Sequence, residues 1–141
     1  RATADPGLVE EALRYVSPVQ YTWRTALAPI ELPGGEVLDE SDTIVLMIVG
    51  ANRDPKVFED PSRFDIHRPN ARKHLAFGFG IHHCLGAALA RMEAEVAWRT
   101  LFARFPDPSS WRIAGEPLPN PGRMIHGLRS LPVQVSSRVP A

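Results

Sequence analysis

Leu8, Val9, Ala12, Leu13 and Val16 recur at helical spacing, which predicts a first helix over about Gly7 to Tyr15. Asp5 suits the N-cap, Pro6 the first turn, and Pro18 should end the element. The pattern then turns β-like. Val19 to Thr25 and Ile30 to Leu32 carry β-branched and aromatic residues, Pro33-Gly34-Gly35 reads as a tight turn, and Glu36 to Leu38 should return. Thr43 to Val49 is apolar enough to begin as a strand, with a short helix or turn at Ala51 to Pro55. From Pro55 to Cys84 periodicity vanishes, and a non-repetitive stretch of that length in a globular chain is often functional. A second long helix should follow Cys84 directly, with Leu85, Leu89, Met92 and Val96 on one face and Pro106 closing it. Half of the 14 prolines lie after Phe105, so loops and short strands are expected there. Met124 to Val135 is the best strand-turn-strand candidate, with Gly127 near the bend.

Composition adds limits. Apolar residues make up 44% of the 141, enough for a core and too many for a disordered tail. Lys plus Arg and Asp plus Glu number 16 each, which gives no electrostatic reason to expect nucleic acid or an anionic membrane as partner. The longest apolar run, Ile44 to Ala51, is far short of the roughly 20 residues a membrane span needs. The first residues lack the basic-then-apolar order of a signal peptide, and one cysteine forms no internal disulfide, so a reducing, cytoplasmic setting is expected. A helical pattern begins almost at once with no initiator Met, so the chain reads as a fragment or a truncated product.

The chemistry concentrates in Phe77-Gly78-Phe79-Gly80-Ile81-His82-His83-Cys84-Leu85-Gly86. A lone cysteine is usually a small buried hydrophobe. Here it stands at the start of a helix, where free N–H groups and the positive end of the dipole favour a thiolate. Gly78 and Gly80 let the loop turn tightly, Gly86 lets backbone donors approach the sulfur, and Phe77 offers an apolar shield. Zinc is the other chemistry that His74, His82, His83 and Cys84 bring to mind, but adjacent His83 and Cys84 suit a tetrahedral site poorly and no second cysteine exists. The decapeptide matches F-G-x-G-x-H-x-C-x-G, and the match extends back through His74-Leu75-Ala76 and on through Ala90-Arg91. In these residues the chain resembles the cytochromes P450 of the soluble bacterial type.

The resemblance runs from Glu11 to Val135 and implies a mainly helical, multihelical fold with small β-sheets, of which residues 1–141 are the carboxyl-terminal, haem-ligating third of a single domain. It implies that Cys84 ligates the iron of a haem b as thiolate, and that the whole protein is a monooxygenase placing one oxygen atom of O2 in a small organic substrate. Electrons would come from a separate ferredoxin or flavodoxin with its NAD(P)H reductase. Glu11 and Arg14, three apart on the first helix, would by themselves form an exposed pair worth about 0.2–0.5 kcal/mol. The resemblance makes them the E-x-x-R pair and adds Arg68 as a third, structural member that pins the cysteine loop. It also implies that Arg24, His74 and His82 hold the haem propionates, that Phe77, Gly78 and Gly86 line the haem, and that Arg91 is structural. Val19 to Trp23 and Met124 to His126 would contribute substrate contacts, unless Trp23 is core. The family's acid–alcohol pair for proton delivery has no match in these residues, so the isolated chain is expected to be incompetent as an oxygenase. A non-catalytic haem-binding module and an inactive remnant are the alternatives.

Overall fold

The computed structural model describes residues 5–136. Helix α1 spans Pro6–Val16, opened by the Asp5 side chain accepting the Gly7 N–H at 2.7 Å and closed by Ser17 in the left-handed region. Strand β1 (Tyr21–Thr25) pairs antiparallel with β4 (Thr43–Met47), with Arg24 opposite Ile44. Between them β2 (Ile30–Glu31) and β3 (Val37–Leu38) form the small hairpin expected around Pro33-Gly34-Gly35. A one-turn helix, α2, occupies Ile48–Ala51, a few residues earlier than the turn predicted for Ala51 to Pro55. The stretch to Cys84 is irregular apart from 3-10 turns at Ala71–Lys73 and Gly80–His82. Helix α3 runs from Ala87 to Arg104.

The carboxyl-terminal strands depart from expectation. Between Met124 and the bend expected near Gly127 there is no strand, and Ile125 makes only an isolated bridge; the two strands of the region, β7 (Leu128–Ser130) and β8 (Val133–Val135), both follow the bend and do not pair with each other. β7 pairs with β6 (Leu118–Pro119), and β8 with β5 (Trp111–Ile113). Only Leu131 and Pro132 separate β7 from β8, and a proline with fixed φ and no N–H does not make the tight hairpin turn that two residues would require. Pro132 instead accepts the Ala114 N–H at its carbonyl, beside the β5–β8 ladder.

The interior lies under α1, which packs on α2, the 3-10 turn at Ala71–Lys73 and α3. Its buried side chains are as often polar as apolar: Val9, Ile48, Phe58, Ala71, Ala76 and Ala87 beside Glu10, Glu11, Arg14, Ser17, Asn52 and His74. Along α3, by contrast, Leu89, Met92 and Val96 remain about half exposed. No helix among the described residues is long and apolar enough to cross a membrane.

Candidate haem-thiolate site

Cys84 is exposed, three residues before α3. Its own N–H donates to the Phe77 carbonyl at 2.8 Å, closing the loop, and its carbonyl accepts the Ala87 N–H at 3.2 Å. Gly78 and Gly80 both hold positive φ, +70° and +64°, which supplies the tight reversals expected of them. Gly86 has an ordinary negative φ, and a Cβ there would lie 3.8 Å from the Cys84 Sγ. What its lack of a side chain preserves is therefore space against the sulfur. Phe79, Ile81 and Leu85 point into solvent at 83%, 98% and 105% exposure.

Cys84 lies on the wall of a cavity of about 450 Å³, within the size range of cofactor pockets. The wall is mainly apolar, from Leu13, Val19, Ile48, Ala76 and Phe77, with Arg24 and His82 as its basic groups. Arg24 donates from Nη1 to the Trp23 carbonyl at 2.7 Å and to Thr22 Oγ1 at 3.2 Å. Among the described residues it has no carboxylate in salt-bridge range, so its charge is available to an anionic ligand. A thiol, a mainly apolar wall and two basic groups on one cavity are the donor set that an iron porphyrin with carboxylate side chains calls for. The two segments expected near a substrate also meet: Val19 bridges Ile125, and the Gln20 N–H donates to Met124. Trp23 is 54% exposed, neither core nor cavity wall.

Glu11, Arg14 and Arg68 come together in the interior. Arg14 grips both Glu11 carboxylate oxygens, at 2.7 and 2.8 Å, and both side chains have no exposed surface. Arg68 Nε stands 3.2 Å from Glu11 Oε2, and the Asp65 N–H donates to Oε1 at 2.8 Å. The two guanidinium groups spend their remaining protons on backbone carbonyls of Asn52, Glu59, Asp60, Pro61 and Arg63. Burial raises the Glu11 pKa, but the hydrogen bonds from Arg14, the Asp65 N–H, the Arg14 charge and the Arg68 hydrogen bond outweigh it, so the carboxyl sits below its ordinary value.

His74 is placed differently from the propionate role expected of it. It is buried and does not line the cavity. Its Nδ1 accepts the Ala76 N–H at 3.1 Å and its Nε2 faces Glu10 Oε2 at 3.0 Å, so both ring nitrogens are already engaged. Glu10 also receives Arg91 Nε at 2.7 Å and Nη2 at 3.3 Å. Burial raises the Glu10 pKa, yet Arg91 and His74 together hold it below its ordinary value; burial pushes His74 down further than Glu10 pulls it up. Glu10 and Asn52 were missed from sequence. Asn52, fully buried, donates to Ser17 Oγ at 2.8 Å and accepts the Leu75 N–H at 2.7 Å, joining the end of α1 to the segment that leads into the cysteine loop. An Asn and a second glutamate carry no spacing signal; only the immediate neighbourhood of Glu11 hinted at Glu10.

The family model described as Cytochrome P450 matches residues 7–115. The chain is 51% identical over 128 residues to cytochrome P450 140 of Mycobacterium tuberculosis, covering 91% of this chain and 28% of that protein. It is 46% identical over 129 residues to the cytochrome P450 monooxygenase PikC of Streptomyces venezuelae, covering 91% and 30%. Substrate-free CYP109E1 of Bacillus megaterium superposes with a TM-score of 0.84 at 38% identity, over 93% of this chain and 33% of that structure. The chain thus spans about a third or less of the length of these relatives.

Proposed function

The chain belongs to the cytochrome P450 family, and on that premise we propose that it is the haem-ligating portion of a monooxygenase acting on a small organic substrate, with Cys84 the thiolate ligand of a haem b iron. The observation that carries this is the placing of Cys84, Arg24 and His82 on one largely apolar cavity wall. When bound, a haem with a thiolate ligand supplies the cleavage of O2. The chain's residues do the rest. Among the described residues the Leu85 and Gly86 N–H groups have no protein acceptor, which leaves them to hold charge on a neighbouring sulfur. Phe77 keeps water from one side of the loop. Arg24 and His82 stand where two carboxylates would be met, and the Glu11 cluster fixes the backbone below. Val19, on the cavity wall, and the segment it bridges at Ile125 would touch substrate in this reading.

Electrons come, in this reading, from a separate ferredoxin or flavodoxin and its NAD(P)H reductase, in the cytoplasm. The 141 residues alone offer one wall of the cavity and no match to the family's acid–alcohol pair, so the isolated chain should form no product. The test of the ligand is Cys84→Ser in the protein as its gene encodes it, reduced under carbon monoxide. Loss of the thiolate-type absorption with retention of haem is expected; an unchanged spectrum would overturn the assignment.

A further inference from the structure

Glu10 is 4% exposed and does a different job from its neighbour. Glu11 gathers the irregular loop around Pro61 to Arg68, whereas Glu10 reaches residues on both sides of Cys84. On the entering side is His74. A backbone N–H is always a donor, so the Ala76 N–H at 3.1 Å makes Nδ1 the acceptor and puts the ring proton on Nε2, which donates to Glu10 Oε2. On the leaving side is Arg91 of α3, whose Nε meets Glu10 Oε1 at 2.7 Å. The same guanidinium stands over the Phe77 ring, 4.6 Å from its centroid. Phe77 is a cavity residue, and its carbonyl is the acceptor of the Cys84 N–H. One carboxylate on α1 therefore fixes the irregular segment into the loop, the helix out of it, and through Arg91 the aromatic residue that holds the cysteine backbone.

We infer that Glu10 is a positioning residue for the thiolate: through His74 and Arg91 it sets where Phe77 stands and hence how Cys84 presents its sulfur. The inference rests on Cys84 being the haem ligand. It assigns Glu10 no contact with substrate or haem; Glu10 acts through the loop. Because Arg91 and His74 are both donors to the one carboxylate, replacing it with an amide turns part of the acceptor into a donor facing another donor. The loop's two arms then lose their common tether while the Glu11 cluster, which shares none of these donors, stays in place.

The experiment uses the haem-loaded protein as its gene encodes it, in wild-type, Glu10→Gln, His74→Phe and Arg91→Lys forms. Haem per chain is measured first, and then, on the haem-loaded fraction, the ratio of thiol- to thiolate-ligated iron in the reduced carbonyl complex. Glu10→Gln should raise that ratio roughly tenfold, the scale set by a buried group losing its partner. His74→Phe should raise it as well. Arg91→Lys keeps a cation for Glu10 but gives up the flat group over Phe77, so a smaller rise is expected, and it serves where Glu10→Gln fails to load haem. A wild-type ratio in haem-loaded Glu10→Gln, or in Arg91→Lys where only that variant loads, overturns the inference. Absence of the thiolate form in the wild type instead sinks the ligand assignment, and the inference with it.

Discussion

Beneath α1, Glu10, Glu11, Arg14, Ser17 and Asn52 are all buried, and no buried side-chain nitrogen or oxygen among the described residues lacks a hydrogen-bond partner. At the cysteine rim, Phe79, Ile81 and Leu85 are almost wholly exposed, and Cys84, His82 and His83 are exposed with them. The first region spends charge inside the protein, where removing one partner is far costlier than in water. The second leaves apolar side chains outside. The difference separates two tasks: the ionic interior holds a long irregular loop in one shape, and the rim leaves its apolar side chains uncovered among the described residues. A loop without secondary structure has few backbone ladders to define it, so side-chain charge takes over their work.

The largest effect should come from breaking the interior. Glu11→Ala strands the Arg14 guanidinium, whose side chain has no exposed surface, and should cost about 3–5 kcal/mol. Arg68→Ala leaves the bidentate Arg14 pair intact and should cost less. Denaturant unfolding and haem content measure both. Equal, small losses in the two variants would erase the contrast between interior and rim.

Acid should attack the same interior before the rim. Glu10, Glu11 and His74 all have folded pKa values below their ordinary 4.5, 4.5 and 6.5. In each case the unfolded chain binds the proton first, so stability is complete above the ordinary value and is lost as pH falls towards the folded one. Unfolding free energy should therefore begin to fall below about pH 6.5 through His74 and fall more steeply below about pH 4.5 through the glutamates. His74→Phe should remove the first part of that slope and leave the second. A pH profile of denaturation midpoints that is flat down to pH 4.5 in the wild type would contradict the His74 part.

How much of this could be read from the sequence depends on whether the cause was local. The start of α1 was legible because its causes are local: Asp5 accepts the Gly7 N–H, and Pro6, with no N–H of its own, sits where none is needed. The facing of α1 was not. Its periodicity sends Leu8, Val9, Ala12, Leu13 and Val16 inward by the usual rule, and of these Val9 alone is buried. In the structure Val16 is 45% exposed and Leu13 lines the cavity, while Glu11 and Arg14 on the polar face have no exposed surface. The polar face goes inward because its partners wait there, and they lie far off in sequence: Glu10 meets His74 and Arg91 at separations of 64 and 81 residues. Spacing alone made Glu11 and Arg14 an ordinary surface pair; family resemblance brought in Arg68, and nothing brought in Asn52. The β6–β7 and β5–β8 pairings were illegible for the same reason, since a strand's partner is not written in its own residues.

Between interior and rim lies the glycine turn, and it should give an intermediate effect. At Gly78, φ is +70° and a Cβ would come within 3.2 Å of the His82 carbonyl oxygen; at Gly80, φ is +64° but nothing stands within 4 Å. Gly78→Ala should therefore cost more than Gly80→Ala, which carries only the roughly 1 kcal/mol or more of a left-handed alanine. Thermal unfolding of the two single variants would show the order, and a reversed order would mean that the His82 carbonyl moves aside for a side chain at position 78.

The smallest effect on stability should come from the rim's basic groups. Arg24 spends two hydrogen bonds within its own strand, on Thr22 and Trp23, and His82 is exposed, so neither props up the interior. Arg24→Ala and His82→Ala should change unfolding free energy by no more than about 0.5 kcal/mol, as surface substitutions do. If they hold haem carboxylates, their loss should appear instead as faster haem transfer to an acceptor globin, with the thiolate spectrum intact. His74→Phe should do the opposite, disturbing the spectrum and the fold because its ring is committed to Glu10 and Ala76. Haem retention at the wild-type level in both rim variants would remove them from the site; a large stability loss in either would mean that the rim carries part of the fold.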